Sequence, residues 1–156
     1  MGRIYTAQFN GVAVAAQQDL FEIVAPADAI VVIHDLEISQ LSDVKDAEEE
    51  MLLLLMKSGS TTSGSGGSAP TAIPKELGDA AFGGTVEANN TTKASVGTIV
   101  THYAWHWNVR VPFQKIWTPE TRPILSPSRR GTIELATTPA DSITMGGTIT
   151  FEEIGG

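Results

Sequence analysis

The sequence contains no cysteine, which excludes disulfide bonds, thiolate metal ligands and cysteine nucleophiles. Positive charge is also scarce, because ten Lys and Arg residues stand against eighteen Asp and Glu residues, for a net charge of −8. A negatively charged protein is repelled by phosphate backbones and by anionic lipids. We therefore expect neither a nucleic acid nor a membrane as a partner.

Long apolar segments are lacking as well. The longest run extends from Met51 to Met56, whereas a helix needs roughly 20 apolar residues to cross a bilayer. Polar residues interrupt the segment 1–8, so it does not form the apolar core of a signal peptide. We expect a soluble protein that is made in the cytoplasm without an encoded export signal.

The composition is nevertheless sufficient for one folded core. The chain has 156 residues, of which 42% are hydrophobic and 18% are charged, and these values are typical of a globular domain. A chain of this length buries about two-thirds of its surface when it folds. We therefore predict a single domain over residues 1–156, stable without disulfide bonds or metal ions.

Apolar and polar residues alternate with a period of two in much of the chain, which is typical of strands with one buried and one solvated face. The clearest alternation covers residues 132–136 and 143–152, and Pro139-Ala140-Asp141 between them indicates a turn. We predict that these two segments pair as a hairpin.

Similar alternation predicts further strands over residues 5–9, 20–24, 30–38 and 108–117. Asn10-Gly11 indicates a turn or a bulge after the first of them. Pro112 has no amide N–H to donate, which places the last strand at a sheet edge or at a bulge.

About eight to ten such strands without sustained helical periodicity predict an all-β fold, namely an antiparallel β-sandwich of the jelly-roll type. An immunoglobulin-type sandwich is the alternative, although its usual cysteine pair is missing. Residues 58–68 are only Gly, Ser and Thr, so we predict a flexible surface loop over about 58–84. The acidic segment 40–50 fits either one helical turn or a solvated loop.

The segment Met51 to Met56 is apolar at every position, so both faces of this strand need cover. Three side chains can enter the core of a sandwich, but Met51, Leu53 and Leu55, or their counterparts of the other parity, then need a second cover. Leaving them in water would forgo about 1.5–3 kcal/mol for each side chain. The chain's own loop, a neighbouring helix or a second copy could cover them, and we predict a homo-oligomer.

A row of aromatic residues follows in Tyr103-Ala104-Trp105-His106-Trp107. On a strand, Tyr103, Trp105 and Trp107 share one face. The three rings are typical of a sandwich core, of an interface with a protein partner, or of a platform for sugar rings. The sequence leaves these alternatives open, and we treat the rings as candidate interface residues.

The remaining polar residues do not form a recognisable catalytic, cofactor or metal site. His102 and His106 would lie about 13 Å apart on a strand, too far to hold one ion. His34 shares the parity of the apolar residues in its strand, which predicts a core histidine. Ser126-Pro127-Ser128 indicates a turn and not a nucleophile elbow. We therefore expect a protein that is not an enzyme and binds no cofactor.

Four segments resemble a known class of protein. The segment Arg3-Ile4-Tyr5-Thr6-Ala7, the loop 63–68 and the segments 83–92 and 147–156 resemble small virion proteins from the structural modules of tailed bacteriophages. Among these proteins are the jelly-roll capsid decoration (cement) proteins. The resemblance implies a homotrimer on the outside of the phage head, where it clamps neighbouring subunits of the major capsid protein.

Two functions therefore follow from the sequence. The first is that of a structural virion protein, a capsid decoration protein on the exterior of a bacteriophage capsid. The second is that of a carbohydrate- or receptor-binding jelly-roll module of a phage fibre, with Tyr103, Trp105 and Trp107 as its contact surface. The first function needs an interface with other proteins and no chemical step.

Overall fold

Two antiparallel sheets account for most of the residues that the computed structural model describes, which are 2–42 and 50–155. The strands are β1 (Arg3–Val14), β2 (Gln18–Val24), β3 (Ala29–Gln40), β4 (Met51–Thr62), β5 (Ile73–Pro74), β6 (Thr85–Asn90), β7 (Ser95–Asn108), β8 (Phe113–Ile116), β9 (Ile124–Leu125), β10 (Arg130–Leu135) and β11 (Ile143–Gly155). No helix within these ranges is long and apolar enough to cross a membrane.

The order of the strands identifies the topology. The first sheet has the order β5-β1-β11-β3-β8, with β9 also paired to β3, and the second has the order β6-β2-β10-β4-β7. The long strands alternate between the two sheets along the chain, since β1 and β3 lie in the first sheet and β2 and β4 in the second. This winding is that of a jelly roll, so the predicted fold class is confirmed.

Side chains from both sheets fill the space between them. Phe9 of the first sheet and Phe21 of the second lie with ring centroids 5.2 Å apart. Tyr5 and Phe151, on adjacent strands of the first sheet, stack with centroids 5.8 Å apart. Both of these rings are fully buried, and burial of such large apolar surfaces is the main source of stability for this fold.

The predicted hairpin between residues 132–136 and 143–152 is wrong. Strand β10 pairs with β2 and β4, whereas β11 pairs with β1 and β3. The connection between β10 and β11 therefore crosses from one sheet to the other. Both strands turn their apolar faces towards the same core from opposite sides, so their alternation is the same as that of a hairpin.

Bulges and turns account for two other differences. The register of β3 shifts between Ile33 and Asp35, which leaves His34 outside the core, 3.1 Å from the Glu152 carboxylate. The predicted strand over 108–117 is shorter, because a turn over residues 108–111 and then Pro112 precede β8. The predicted bulge after residue 9 is confirmed, with Gly11 at φ +69°.

The Gly/Ser-rich segment begins later than predicted. Residues 58–62 belong to β4, so the loop starts at Ser63. It then follows β6, because Ser65 forms a bridge to Thr92 and Ser68 a bridge to Ala88. Most of the acidic segment 40–50 lies outside the described residues.

Candidate functional site

The second sheet has two different surfaces on its outer face, which points away from the first sheet. The registers place Asp19, Glu134, Leu55 and Ala104 side by side across β2, β10, β4 and β7. Charged residues therefore occupy the half formed by β2 and β10, here called the charged half. Apolar residues predominate in the half formed by β4 and β7, which also contains Lys57, His102 and His106.

Glu22 organises the charged half. Its buried carboxylate accepts hydrogen bonds from the Ser63 hydroxyl at 2.6 Å and from the Gly64 amide at 2.9 Å. It also accepts one from the side-chain amide of Asn90 and pairs with Arg130. A buried carboxylate is destabilising unless its charge and its lone pairs are matched. These contacts hold the start of the Gly/Ser loop against the sheet.

Asp19 and Glu134 complete the charged half and differ in their acidity. Asp19 accepts a hydrogen bond from the Ala94 amide at 2.7 Å, and its burial raises the pKa of the carboxyl to about 6. Burial also opposes the ionisation of Glu134, but hydrogen bonds and charges from Lys57 and Lys93 outweigh it, so the pKa of Glu134 is lowered. Partners within the chain thus satisfy both carboxyls.

Strand β4 carries the apolar residues of the other half. Met51, Leu53 and Leu55, here called the apolar strip, lie on the outer face, where Met51 is 50% exposed and the two leucines are half-buried. Leu52 and Leu54 between them are fully buried in the core. The sequence predicted that one of the two sets would face outward without deciding which, and the structure places Met51, Leu53 and Leu55 there. The described chain covers the strip only in part.

Strand β7 forms an open edge beside the apolar strip. Among the described strands it pairs only with β4, so the backbone groups along its other side have no strand partner there. Its fourteen residues include no Asp, Glu, Lys, Arg or Pro, although edge strands are usually protected by such residues. Residues 95–102 are exposed, among them Val96, Ile99 and Val100. We call strand β7 the uncharged edge.

The aromatic row of β7 points between the two sheets. Trp107 is buried, while Tyr103 and Trp105 are partly buried and pack against the core. Tyr103 and Trp105 stack with centroids 5.4 Å apart, and both rings lie within about 6 Å of Trp117. The rings therefore have the core arrangement. Contact between a partner and these three residues, or between a partner and the apolar strip, stays a prediction.

The two histidines of β7 lie in different surroundings. His102 is the unpaired residue of a bulge, and its Nε2 lies 2.7 Å from Ser58 Oγ. His106 lies opposite Leu53 in the register with β4. In the part of the chain that the structure describes, no group of three His, Asp or Glu residues could hold a metal ion.

The charged half and the uncharged edge were not predicted, although the sequence contains a pattern that indicates each of them. Asp19 and Glu22 interrupt a strand that is otherwise mostly apolar, and no Asp, Glu, Lys or Arg lies between Lys93 and Arg110. The partners of Glu22 could not be predicted, since Arg130 is 108 positions away in the chain.

Comparisons with known proteins add little to this picture. No family model matches the sequence, and no curated protein matches it significantly. A chain from the crystal structure of the T13 particle of infectious bursal disease virus aligns with 99% of this chain at 14% identity and a TM-score of 0.18. Chains from the Gx and Gt strains of that virus align at 12% and 14% identity, both with a TM-score of 0.16.

The alignments cover nearly the whole of this chain but only 39–41% of the viral chains. This chain therefore spans about two-fifths of the length of the proteins that it matches. TM-scores this low support no conclusion about function.

Proposed function

We propose that this chain is a structural virion protein, and specifically a decoration protein that binds the outside of a bacteriophage capsid. It stabilises the capsid by burying interface area and catalyses no reaction. The observation that carries the proposal is the apolar strip beside the uncharged edge, a surface suited to contact with protein. The resemblance of the sequence to phage decoration proteins supports it, as does the jelly roll, a fold that many viral capsid domains use.

The charge distribution favours contact between copies at this surface. Each copy carries a net charge of −8, so two copies repel each other wherever their carboxylates face one another. Repulsion is weakest where the facing surfaces carry no charge, which holds for the strip and for the edge. We therefore propose that further copies cover both, in a homotrimer that binds the major capsid protein.

The edge also provides a directional contact. An unpaired strand edge presents N–H and C=O groups at regular spacing, which another extended segment can pair with. The fourteen residues of β7 extend over about 45 Å at 3.3 Å per residue. A partner segment paired along the whole edge would therefore contact the chain over this length.

A carbohydrate- or receptor-binding module of a phage fibre has less support. That function would use Tyr103, Trp105 and Trp107 as an exposed platform, but these rings point between the sheets. The buried Trp107 offers no surface to a ligand.

Binding to capsids tests the proposed function. Purified protein is mixed with capsids that lack it, the capsids are sedimented, and the bound protein is quantified. We expect the wild type to sediment with the capsids and Leu53→Gln to bind about tenfold less, because a polar side chain disrupts the apolar strip.

Ile116→Gln is the matched control, since it replaces an exposed apolar residue of the first sheet, 66% exposed, by the same polar one. This variant should bind like the wild type. Failure of the wild-type protein to sediment with any capsid of its phage would contradict the proposal.

A further inference from the structure

A cavity of about 450 Å³ lies where the edges of the two sheets separate. Met56, His102 and Tyr103 of the second sheet line one side. Residues 120–125, which include β9 and belong with the first sheet, line the other side. Cavities of about 300–1,000 Å³ are the usual size for small-molecule sites, so the volume is sufficient for a single sugar ring.

Arg122 is the unusual residue of this cavity. Its Nε is buried and has no hydrogen-bond partner among the described residues. The side chain also forms no ion pair within that part of the chain, although acidic residues outnumber basic ones. Buried donors without a partner are rare, because each forgoes a hydrogen bond that water would otherwise provide. Arg122 lines the cavity, and a guanidinium there is suited to a ligand that brings a carboxylate, which it binds through two parallel hydrogen bonds.

The segment that carries Arg122 is held in place by the second sheet. The Tyr103 hydroxyl donates a hydrogen bond of 2.7 Å to the Thr121 carbonyl oxygen, the residue just before Arg122. The Thr121 amide in turn donates to the Thr118 carbonyl oxygen at 2.9 Å, which closes a short 3-10 turn. These contacts position Arg122 before any ligand arrives, which reduces the entropy that binding would cost.

The other residues of the cavity combine apolar and polar groups. Met56, Leu125 and the ring of Tyr103 provide apolar contact, and the carboxylate of Glu120 provides a hydrogen-bond acceptor. A sugar has the matching composition, because its ring presents C–H groups to apolar and aromatic side chains and its hydroxyls donate to carboxylates.

We propose that this cavity binds a carboxylate-bearing sugar, such as a uronic acid, with the sugar carboxylate on Arg122. The hydroxyl groups donate to Glu120, and the ring lies against Tyr103, Met56 and Leu125. His102 and Tyr103 line the cavity and also belong to the uncharged edge, so the site lies next to the surface that we propose other copies cover. Binding of free sugars to the purified protein does not require the role in the capsid.

Three small probes separate the two parts of this proposal. Glucuronate has both the ring and the carboxylate, glucose has only the ring, and acetate has only the carboxylate. We expect calorimetric titration to show that glucuronate binds about tenfold more tightly than either of the others, because it alone satisfies Arg122 and the ring contacts together.

Variants connect the binding to Arg122. Arg122→Gln should reduce the affinity for glucuronate about tenfold, to the level of glucose, and Arg122→Lys should give an intermediate loss, because lysine keeps the charge without the planar fork. Arg129→Gln is the matched control, as it removes an exposed arginine that does not line the cavity, and it should leave binding unchanged. Circular dichroism checks that each variant is folded.

Three results would overturn the proposal. The first is no binding of glucuronate at millimolar concentration, and the second is equal binding by the wild type and Arg122→Gln. The third is equal affinity for acetate and glucuronate, which would show that the cavity does not recognise the ring.

Discussion

Glu22, Asp19 and Glu134 are three buried carboxylates on the outer face of the second sheet, and each is held by different partners. Glu22 accepts a hydrogen bond from a loop amide and forms an ion pair with an arginine. Glu134 forms ion pairs with two lysines. Asp19 accepts a hydrogen bond from one backbone amide, and burial raises the pKa of its carboxyl. The protonation of Asp19 therefore changes at about pH 6 in the folded chain.

The raised pKa of Asp19 determines how this residue affects stability. The pKa is about 6 in the folded chain against an ordinary value of 3.8, so the folded state binds the proton more tightly than the unfolded state does. The resulting stabilisation is complete below pH 3.8 and is lost as the pH rises through 6. We expect Asp19 to lower the free energy of unfolding by about 1 kcal/mol between pH 5 and pH 7.

Urea unfolding at several pH values measures this effect in the wild type and in Asp19→Asn. The asparagine has no titratable proton and still offers an oxygen to the Ala94 amide, so its stability should not show this decrease between pH 5 and pH 7. All other titrating groups are the same in both proteins and cancel in the comparison. Parallel pH curves for the two proteins would show that Asp19 does not titrate in this range.

Among the elements, β4 and β10 show what a sequence pattern can and cannot predict. For β4, the side-chain period of two predicted that only one set of its apolar residues enters the core, but six apolar residues in a row did not show which set. The pairing of β10 could not be predicted, because alternation identifies the buried face of a strand and not the sheet to which it belongs. His34 was misplaced for a related reason, since one extra residue in β3 reverses the parity of the positions beyond it.

The Gly/Ser loop is a second segment whose structure the sequence predicted only in part. Its composition predicted a surface loop but not its course along β6, which depends on Glu22 and on close backbone contacts. Gly67 is the tightest of these contacts, since a Cβ at this position would lie 2.1 Å from the Ala88 carbonyl oxygen. The glycine is therefore required by packing against β6.

Replacement of Gly67 by alanine tests this packing. Because backbone atoms would have to move, we expect Gly67→Ala to lower the free energy of unfolding by about 1–3 kcal/mol. Gly78→Ala is the control, as the nearest atom to a Cβ there is the flexible Glu76 Oε1 at 3.8 Å. Thermal unfolding measures both variants. Equal midpoints would mean that the loop does not pack against β6 in solution.

At the scale of the whole molecule, polar groups and apolar groups of the second sheet are separated. The charged half satisfies its own carboxylates, whereas the apolar strip and the uncharged edge are left partly open. The strip could be predicted from the sequence, because six consecutive apolar residues exceed what one buried face can hold. The cavity at Arg122 could not, because its walls come from strands that are distant in the chain.

The mass of the protein in solution is the most direct test of whether other copies of the chain cover the apolar strip and the uncharged edge. Light scattering at micromolar concentration should give three times the 16.5 kDa of one chain, and Leu53→Gln should shift the mass towards that of a single chain. A wild-type mass of 16.5 kDa at this concentration would show that the chain is a monomer and that no other copy covers the strip or the edge.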